Sequence, residues 1–201
     1  MFKLEGGTRN SFILVFYVML LGTHNSGTFT PLVWWQKPFG FIFNPLSRCQ
    51  NKDITDQLMC NVRVFNFQIT RYKNDWYFSH GLCIYDYTIS SAIQTLVTYE
   101  IPVYIQIYLD KNFFLGQDTE AFKTYIDNLV DSLKGTDIHI LNAWIEGTDE
   151  YVYKSKINID LSEKYWISKD SWFPYPEYYA KKNNKKYIEE NSHLYLMLDF
   201  V

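Results

Sequence analysis

Two histidines lie at the ends of apolar segments beside glycine turns, where an α/β protein commonly builds a site. His24 follows the apolar run Phe12–Leu21 and lies within the turn Gly22–Thr28, whereas His80 follows Trp76–Ser79 and precedes Gly81. Imidazole ordinarily changes charge near neutral pH, so a pair of imidazoles can remove one proton and supply another. The pattern predicts either a general base with a general acid or two hydrogen-bonded structural histidines.

The remaining histidines and the cysteines favour structural roles. His139 falls inside a predicted strand and His193 at the entrance of another. The three cysteines, Cys49, Cys60 and Cys83, are an odd number without a C-x-x-C pair. A disulfide framework or a structural zinc site is therefore not expected, and we predict three reduced thiols in or near the core.

The elements that must hold the two histidines alternate between strands and helices. Apolar segments bounded by turn residues predict buried strands, and apolar residues at helical spacing predict amphipathic helices. Their alternation predicts parallel pairing through right-handed crossovers. The predicted strands are Val62–Ile69, Trp76–Phe78, Pro102–Leu109, Ile138–Ile145, Tyr165–Ile167 and Leu194–Val201, and the predicted helices are Ile54–Cys60 (capped by Asp53), Thr88–Tyr99 and Asp118–Leu133.

The run Phe12–Leu21 has two interpretations. It is too short to span a bilayer, which needs roughly 20 apolar residues. Lys3 and Arg9 precede it as they would precede the apolar core of a signal peptide, but no small-residue cleavage site follows cleanly. Its Phe, Val, Ile and Tyr content before a glycine turn also describes a buried parallel strand, which we favour.

Composition limits the classes of function. With 201 residues, 47% of them hydrophobic and 20% charged, the chain fits one folded domain, residues 1–201. The net charge of -3 argues against nucleic acid as a partner. The absence of an N-x-[ST] acceptor favours an intracellular or membrane-peripheral protein, although a signal peptide at Phe12–Leu21 stays open.

Several motifs resemble those of one family in order and spacing. Gly22–Thr28 (GTHNSGT) is similar to the GTHDSGT turn of the phosphatidylinositol-specific phospholipases C, and residues 49–58 resemble that family's Q-x-x-S-I-x-x-Q-L helix. Val62–Gln68 resembles its next strand, G-[VI]-R-x-F-D-[IL]-R, and Phe78–Leu82 resembles its second histidine motif. Weaker likenesses to the members that consist of an X domain alone follow at residues 165–167, 171–174 and 198–200.

The resemblance implies a distorted or minimal TIM-type (β/α) barrel with a PLC-like phosphodiesterase fold. It also implies that His24 removes a proton from the inositol 2-hydroxyl, which attacks phosphorus and forms a cyclic phosphate. His80 would then protonate the departing diacylglycerol oxygen, and Asp199 on a late strand would hold His24. The implied partner is a phospholipid or an inositol-phosphate-type substrate.

The sequence departs from the family where phosphoryl transfer needs positive charge. In the family that charge comes from an arginine on the second strand, or from calcium held by carboxylates and an asparagine. Here the corresponding substrate-binding positions are neutral: Asn25, Asn66, Gln68 and Tyr108. Calcium is therefore improbable, and no cofactor is expected. Losing one such charged donor commonly costs on the order of 100- to 1,000-fold in rate.

A cation from elsewhere could replace the missing charge. Lys111 and Arg71 lie at or beyond strand ends and are candidates, whereas Arg63 is an odd number of residues from Asn66 and should face outward. Asp110 and Glu146 are acids at strand ends that either line the cleft or are solvated.

Two hypotheses for the function remain at the level of sequence. The first is a phosphodiesterase that uses both histidines, which their retention favours. The second is a catalytically silent relative that binds lipid, inositol phosphate or a protein partner, which the neutral positions favour. The aromatic pairs Trp34-Trp35 and Trp172-Phe173 add a candidate peripheral contact with a membrane or else pack in the core and loops.

Overall fold

The computed structural model describes residues 21–112, 114–148, 150–157, 165–166, 177, 180, 184–186 and 196–198. Within these residues the chain forms nine strands and four α-helices, and residues 184–186 are also helical. The strands are β1 (Leu21–Thr23), β2 (Val62–Tyr72), β3 (Asp75–His80), β4 (Cys83–Thr88), β5 (Val103–Leu109), β6 (Ile138–Ile145), β7 (Tyr151–Lys154), β8 (Tyr165–Trp166) and β9 (Leu196–Leu198). The helices are α1 (Gly40–Ser47, after a 3-10 turn at Lys37–Phe39), α2 (Ile54–Met59), α3 (Ile89–Val97) and α4 (Thr119–Ser132).

All nine strands belong to one sheet, whose main path runs β7-β6-β5-β2-β1-β9-β8. The inner pairs along this path are parallel, and β7 is antiparallel to β6. No pairing joins β7 to β8 among the described strands, so this part of the sheet is open. The parallel core aligns the carboxyl ends of β1, β2 and β5 at one edge, which is the edge that carries His24.

A hairpin departs from the predicted parallel pattern. Strand β2 continues to Tyr72, three residues beyond its pairing with β5, and then turns back into β3. Both β3 and β4 are therefore antiparallel. His80 ends the returning strand β3, so the rule of parallel strand ends that pointed to it was wrong for this residue. Instead, the hairpin returns the chain alongside β2 and so carries His80 back toward the sheet.

Helix caps and apolar stripes explain where the helices begin and how they pack. Asp53, Thr88 and Asp118 each accept a hydrogen bond from the backbone N–H three residues later, as N-cap residues do. These bonds confirm the predicted cap at Asp53. The face of α4 that carries Phe122 and Ile126 is fully buried against the sheet. Burying such a side chain is worth roughly 1.5–3 kcal/mol, so the stripe anchors the helix.

The prediction missed three elements with weak sequence signals. Helix α1 contains Pro45 and buries none of its residues, so it lacks the apolar periodicity of a core helix. Strands β4 and β7 are short and follow glycine turns at Gly81 and Gly147, whose φ angles are positive. The run Phe12–Leu20, most of Leu194–Val201 and the pair Trp172-Phe173 lie outside the described residues.

Candidate functional site

The turn that carries His24 is held by its own polar side chains. The Ser26 hydroxyl lies 2.8 Å from both the carbonyl and the hydroxyl oxygens of Thr23. The Thr28 backbone N–H and hydroxyl both donate to the Asn25 carbonyl, and Asn25 adopts a positive φ of 46°. The His24 N–H donates to the Leu198 carbonyl on β9 at 3.0 Å. The Ser, Thr and Asn residues of the motif therefore shape the loop and hold the backbone of His24 in place.

Gly27 makes the turn sensitive to a single methyl group. A Cβ atom placed on this glycine would lie 2.1 Å from the Phe78 ring, which is buried in the core. We expect Gly27→Ala to lower the free energy of unfolding by about 3 kcal/mol, because neither the turn nor the ring has room to move. Urea denaturation measures this loss.

Gly40→Ala is the matched control for that substitution. Gly40 is helical, with φ -59°, and an added Cβ would have no neighbour closer than 3.5 Å. The free energy of unfolding of Gly40→Ala should stay within about 1 kcal/mol of that of the parent. Equal losses in the two variants would contradict the packing of Phe78 against the turn.

His80 lies beside His24. The two ring centroids are 6.0 Å apart and the ring planes are nearly perpendicular, at 81°. His80 Nδ1 is 2.6 Å from the Ser47 carbonyl oxygen, which can only accept, so Nδ1 carries a hydrogen. Nε2 is therefore the His80 nitrogen available for exchange with a ligand. The rings are close enough for one small group to contact both.

Cys49 contacts both histidine motifs. Its Sγ lies 3.6 Å from His80 Nδ1 and 3.6 Å from Asn25 Nδ2. The neighbouring Gln50 donates from Nε2 to the His24 carbonyl at 3.0 Å and to the Leu198 carbonyl at 2.9 Å. Residues 47–50 therefore link His24, His80 and β9. None of the three cysteines forms a disulfide bond, and Cys49 and Cys83 are buried.

The neutral residues at the predicted charged positions form one connected network. Tyr108 Oη lies 3.0 Å from Asn25 Oδ1 and 2.7 Å from Gln68 Oε1. Gln68 Nε2 donates to Asp110 Oδ1 at 2.7 Å and lies 3.4 Å from Glu146 Oε2. The Gln68 amide therefore bonds to protein groups at both ends, and these contacts place its N–H against carboxyl groups.

The Asp110 carboxyl has an unusual electrostatic setting. Asp110 is only 1% exposed, and burial raises the pKa of its carboxyl to about 7. The nearby Glu146 carboxyl also raises this pKa, whereas the Ser79 hydroxyl and the Gln68 amide lower it. Near neutral pH the Asp110 carboxyl beside Glu146 is therefore close to gaining or losing one proton.

Four cationic side chains on the segments around the site bond to other groups of the protein. Lys111 follows Asp110 but is exposed, and its backbone N–H donates to Glu146 Oε2 at 2.8 Å. Arg63 is half-buried, and its guanidinium donates to the Leu58 and Val62 carbonyls. The partners are the Phe29 carbonyl for Arg48, Cys60 for Lys52, the Val62 carbonyl for Arg63 and Asp118 for Arg71.

The other predicted site residues divide as follows. Asn66 is fully buried; its Oδ1 faces the Asn25 N–H at 3.4 Å, and its Nδ2 has no hydrogen-bond partner among the described residues. Asp199 lies outside the described residues. The sequence did not signal the role of Ser47, because it acts through its backbone carbonyl. The adjacency of Asp110 and Glu146 did have a signal, since both directly follow neighbouring parallel strands.

The described residues contain neither a metal-binding cluster nor a membrane-spanning helix. No group of three or more His, Cys, Asp or Glu side chains there is arranged to hold a metal ion. Within the same residues, none of the helices has the length and apolar character that crossing a bilayer would require.

The fold is similar to that of bacterial phosphatidylinositol-specific phospholipases C. The enzyme from Listeria monocytogenes superimposes with a TM-score of 0.63 at 13% identity, covering 92% of this chain and 89% of that one. A variant from Staphylococcus aureus gives 0.60 at 14% identity, covering 92% and 87%. Another S. aureus structure, concerned with modulation of membrane binding, gives 0.60 at 14% identity, covering 92% and 86%.

No family model and no curated protein sequence matches the chain. At these identities the structural likeness shows the fold alone. The predicted mixed α/β fold, a distorted or minimal TIM-type barrel, is confirmed, and it is the fold that these phospholipase C structures share.

Proposed function

We propose that the protein cleaves a phospholipid phosphodiester with His24 as general base and His80 as general acid. The observation that carries the proposal is the approach of the two imidazoles to 6.0 Å between ring centroids, on elements 56 residues apart in sequence (positions 24 and 80). The likeness to phosphatidylinositol-specific phospholipases C supports an inositol phospholipid as the substrate to test first.

The chemistry follows from the roles of the two rings. His24 takes the proton of the attacking hydroxyl, whose oxygen forms a bond to phosphorus. The bond from phosphorus to the glycerol oxygen breaks, and His80, which enters the step as an imidazolium with hydrogens on both ring nitrogens, gives that oxygen the proton on Nε2. The Ser47 carbonyl fixes which His80 nitrogen faces the reaction. With the inositol 2-hydroxyl as nucleophile, the products are a cyclic inositol phosphate and diacylglycerol.

The missing charge supports a second candidate function. Gln68 lies where the resemblance expects an arginine or a second calcium carboxylate, and its amide N–H donates to Asp110. A phosphate would therefore meet neutral groups and a carboxyl pair, which stabilise a phosphoryl transition state poorly. The alternative is a silent domain that binds lipid or inositol phosphate without turnover.

One paired experiment separates the two functions. Release of water-soluble phosphate from phosphatidylinositol micelles is measured in EDTA, alongside binding of the protein to the same micelles. We expect release by the parent and none by a His24→Ala/His80→Ala variant. Binding by both proteins without release by either would reject the enzyme and support the silent domain.

An apolar surface beside the site supports contact with a lipid layer. Helix α1 ends at Ser47, which contacts His80, yet Phe41 on it is 78% exposed. Phe39, Ile42 and Leu46 on the same helical segment are exposed too, as are Trp34, which precedes it, and Leu82, whose carbonyl bonds to Gln36. Aromatic and aliphatic groups clustered in this way suit insertion at a membrane interface. We therefore propose that α1 lies against the lipid while the histidines reach the headgroup.

The vesicle affinity of an α1 variant tests this orientation. Phe41→Ser combined with Ile42→Ser should weaken binding to phosphatidylinositol/phosphatidylcholine vesicles at least about tenfold, because two apolar side chains no longer insert. Sedimentation with vesicles gives the affinity. Met59→Ser is the control, since Met59 is 75% exposed at the end of α2, which leads into the opposite edge of the sheet. An equal loss for both variants would contradict the proposed orientation.

A further inference from the structure

Lys52 and Cys60 bring an amine and a thiol into contact away from the two histidines. Lys52 Nζ lies 2.9 Å from Cys60 Sγ. The amines of Lys123 and Lys134, in contrast, are directed to carboxylates. Lys52 and Cys60 are both half-buried, so both side chains keep some contact with solvent. The pair therefore combines a thiol that can be oxidised with an amine that can act as a nucleophile.

Helix α2 holds the two reactive atoms together. Lys52 directly precedes the N-cap Asp53, and Cys60 follows the last residue of the helix. The Cys60 N–H donates to the Asp56 carbonyl at 3.0 Å, and Gln57 Nε2 donates to the Lys52 carbonyl at 2.8 Å. Because hydrogen bonds fix the backbone at both ends of the helix, the amine meets the sulfur without any rearrangement of the chain.

Cys60 is also the cysteine that a dissolved oxidant reaches most easily. Cys49 and Cys83 are buried, whereas Cys60 is half-buried. Oxidation of a thiol depends on access of the oxidant to the sulfur, and a hydroperoxide converts an accessible thiol to a sulfenic acid. The sulfur of a sulfenic acid is electrophilic and condenses with a neighbouring thiol or nitrogen. Lys52 Nζ is the nitrogen in contact with this sulfur.

We propose that Cys60 and Lys52 form a modification site, at which a hydroperoxide produces a reversible covalent bond between sulfur and nitrogen. The peroxide takes two electrons from the Cys60 thiol, which leaves a sulfenic acid and one water. Lys52 Nζ then bonds to the sulfur while the bond from sulfur to oxygen breaks. The hydroxyl departs as water with one proton of the ammonium group, a second proton passes to solvent, and the third stays on the nitrogen.

The short contact decides between this bond and irreversible oxidation. A second peroxide would convert the sulfenic acid to a sulfinic acid, which thiols do not reduce. The amine is already within about 3 Å of the sulfur, and such an intramolecular attack has an effective concentration far above that of dilute peroxide. The bond to Lys52 therefore forms first. Two molecules of a thiol reductant restore both side chains and become a disulfide, and none of these steps depends on the proposed function.

Peptide mapping by mass spectrometry tests the bond directly. The protein carries Met59→Leu, because Met59 is 75% exposed and would itself be oxidised. It is treated with hydrogen peroxide, alkylated and digested with trypsin, which cleaves after Arg48, Lys52 and Arg63. We expect one peptide of residues 49–63 that is uncleaved at Lys52 and lacks two hydrogens. Dithiothreitol added before alkylation should restore the cleavage.

Cleavage at Lys52 in the peroxide-treated protein would overturn the proposal. The bond to sulfur removes the free amine that trypsin requires, whereas a disulfide to Cys49 or an oxygenated Cys60 leaves that amine intact. Either of these products therefore releases the peptide of residues 49–52 from that of residues 53–63, and the released peptides distinguish them from the proposed bond.

Two variants identify the nucleophile. Lys52→Arg keeps the positive charge but removes the amine, so the fraction of Cys60 that becomes sulfinic acid should rise at least about tenfold. Cys60→Ser should give no uncleaved peptide. A far-ultraviolet circular dichroism spectrum equal to that of the parent establishes that each variant is folded. Equal sulfinic acid yields in Lys52→Arg and the parent would contradict capture of the sulfur by the amine.

Discussion

His80→Ala is expected to lower the cleavage of phosphatidylinositol by about 10²- to 10⁴-fold, the usual contribution of a positioned general acid. The glycerol oxygen is a poor leaving group and needs the proton that His80 Nε2 supplies. From a p-nitrophenyl ester of inositol phosphate, the p-nitrophenolate group leaves as a stable anion without that proton. His80→Ala should therefore cleave the aryl ester with a loss of less than about tenfold. Initial rates on both substrates give the comparison.

His24→Ala should behave differently, because the nucleophile needs its base on either substrate. We expect about 10²- to 10⁴-fold losses for both esters. The matched control is His139→Ala, whose ring stacks on Tyr104 at 5.6 Å in the sheet and touches neither site histidine. Its rates should equal those of the parent. If His80→Ala lost activity equally on both esters, His80 would not be the general acid.

Asp110→Asn is expected to stabilise the fold, and to do so more as the pH rises. Folding raises the pKa of this carboxyl from 3.8 to about 7, so burial favours the neutral form. Below both pKa values the carboxyl is protonated in the folded and the unfolded chain, so the pKa shift does not lower the free energy of unfolding. Between them the unfolded chain ionises first, and stability falls by about 1.4 kcal/mol per pH unit. Above pH 7 the full loss in the free energy of unfolding is present.

The amide that replaces the carboxyl in Asp110→Asn would carry no charge at any of these pH values. Its oxygen can still accept from Gln68 Nε2, and its nitrogen can donate toward Glu146. The stability gain of Asp110→Asn over the parent should therefore grow by about 2–3 kcal/mol between pH 5 and pH 8. Urea denaturation at the two pH values measures it.

Asp118→Asn provides a control of opposite sign. A hydrogen bond from Arg71 lowers the pKa of Asp118, so its ionised form favours the folded state above its unfolded pKa. This variant should lose stability at pH 8, modestly because the pair is exposed. A gain for Asp110→Asn that is the same at pH 5 and pH 8 would contradict the buried carboxyl as its cause.

The sequence predicted the proximity of the two histidines better than the route that brings them together. His24 is at the end of a parallel strand, as expected from its apolar run and glycine turn. His80 arrives on the antiparallel hairpin formed by β2 and β3, which pairing rules for alternating strands and helices do not anticipate. Local patterns identify the elements, whereas their direction depends on a tight turn at Lys73-Asn74, where both residues have positive φ.

The neutral positions were also predicted from the sequence, but not what the side chains there do. Asn25, Gln68 and Tyr108 were expected to face a substrate, and the contacts within the described residues show them bonded to each other and to Asp110. Such pairings depend on register, since Gln68 lies opposite Tyr108 where β2 meets β5. Sequence spacing places residues on a face of the sheet but cannot fix which amide atom meets which partner. Their roles toward a substrate, and that of Lys111, stay predictions.

A phosphorus NMR spectrum of the protein with phosphatidylinositol micelles in EDTA tests the central claim most directly. The account predicts a cyclic inositol phosphate as the first product, formed at the same rate with calcium present and not formed by His24→Ala. A first product that is an acyclic phosphate monoester would contradict attack by the inositol hydroxyl. No product with either EDTA or calcium would contradict catalysis on this substrate altogether.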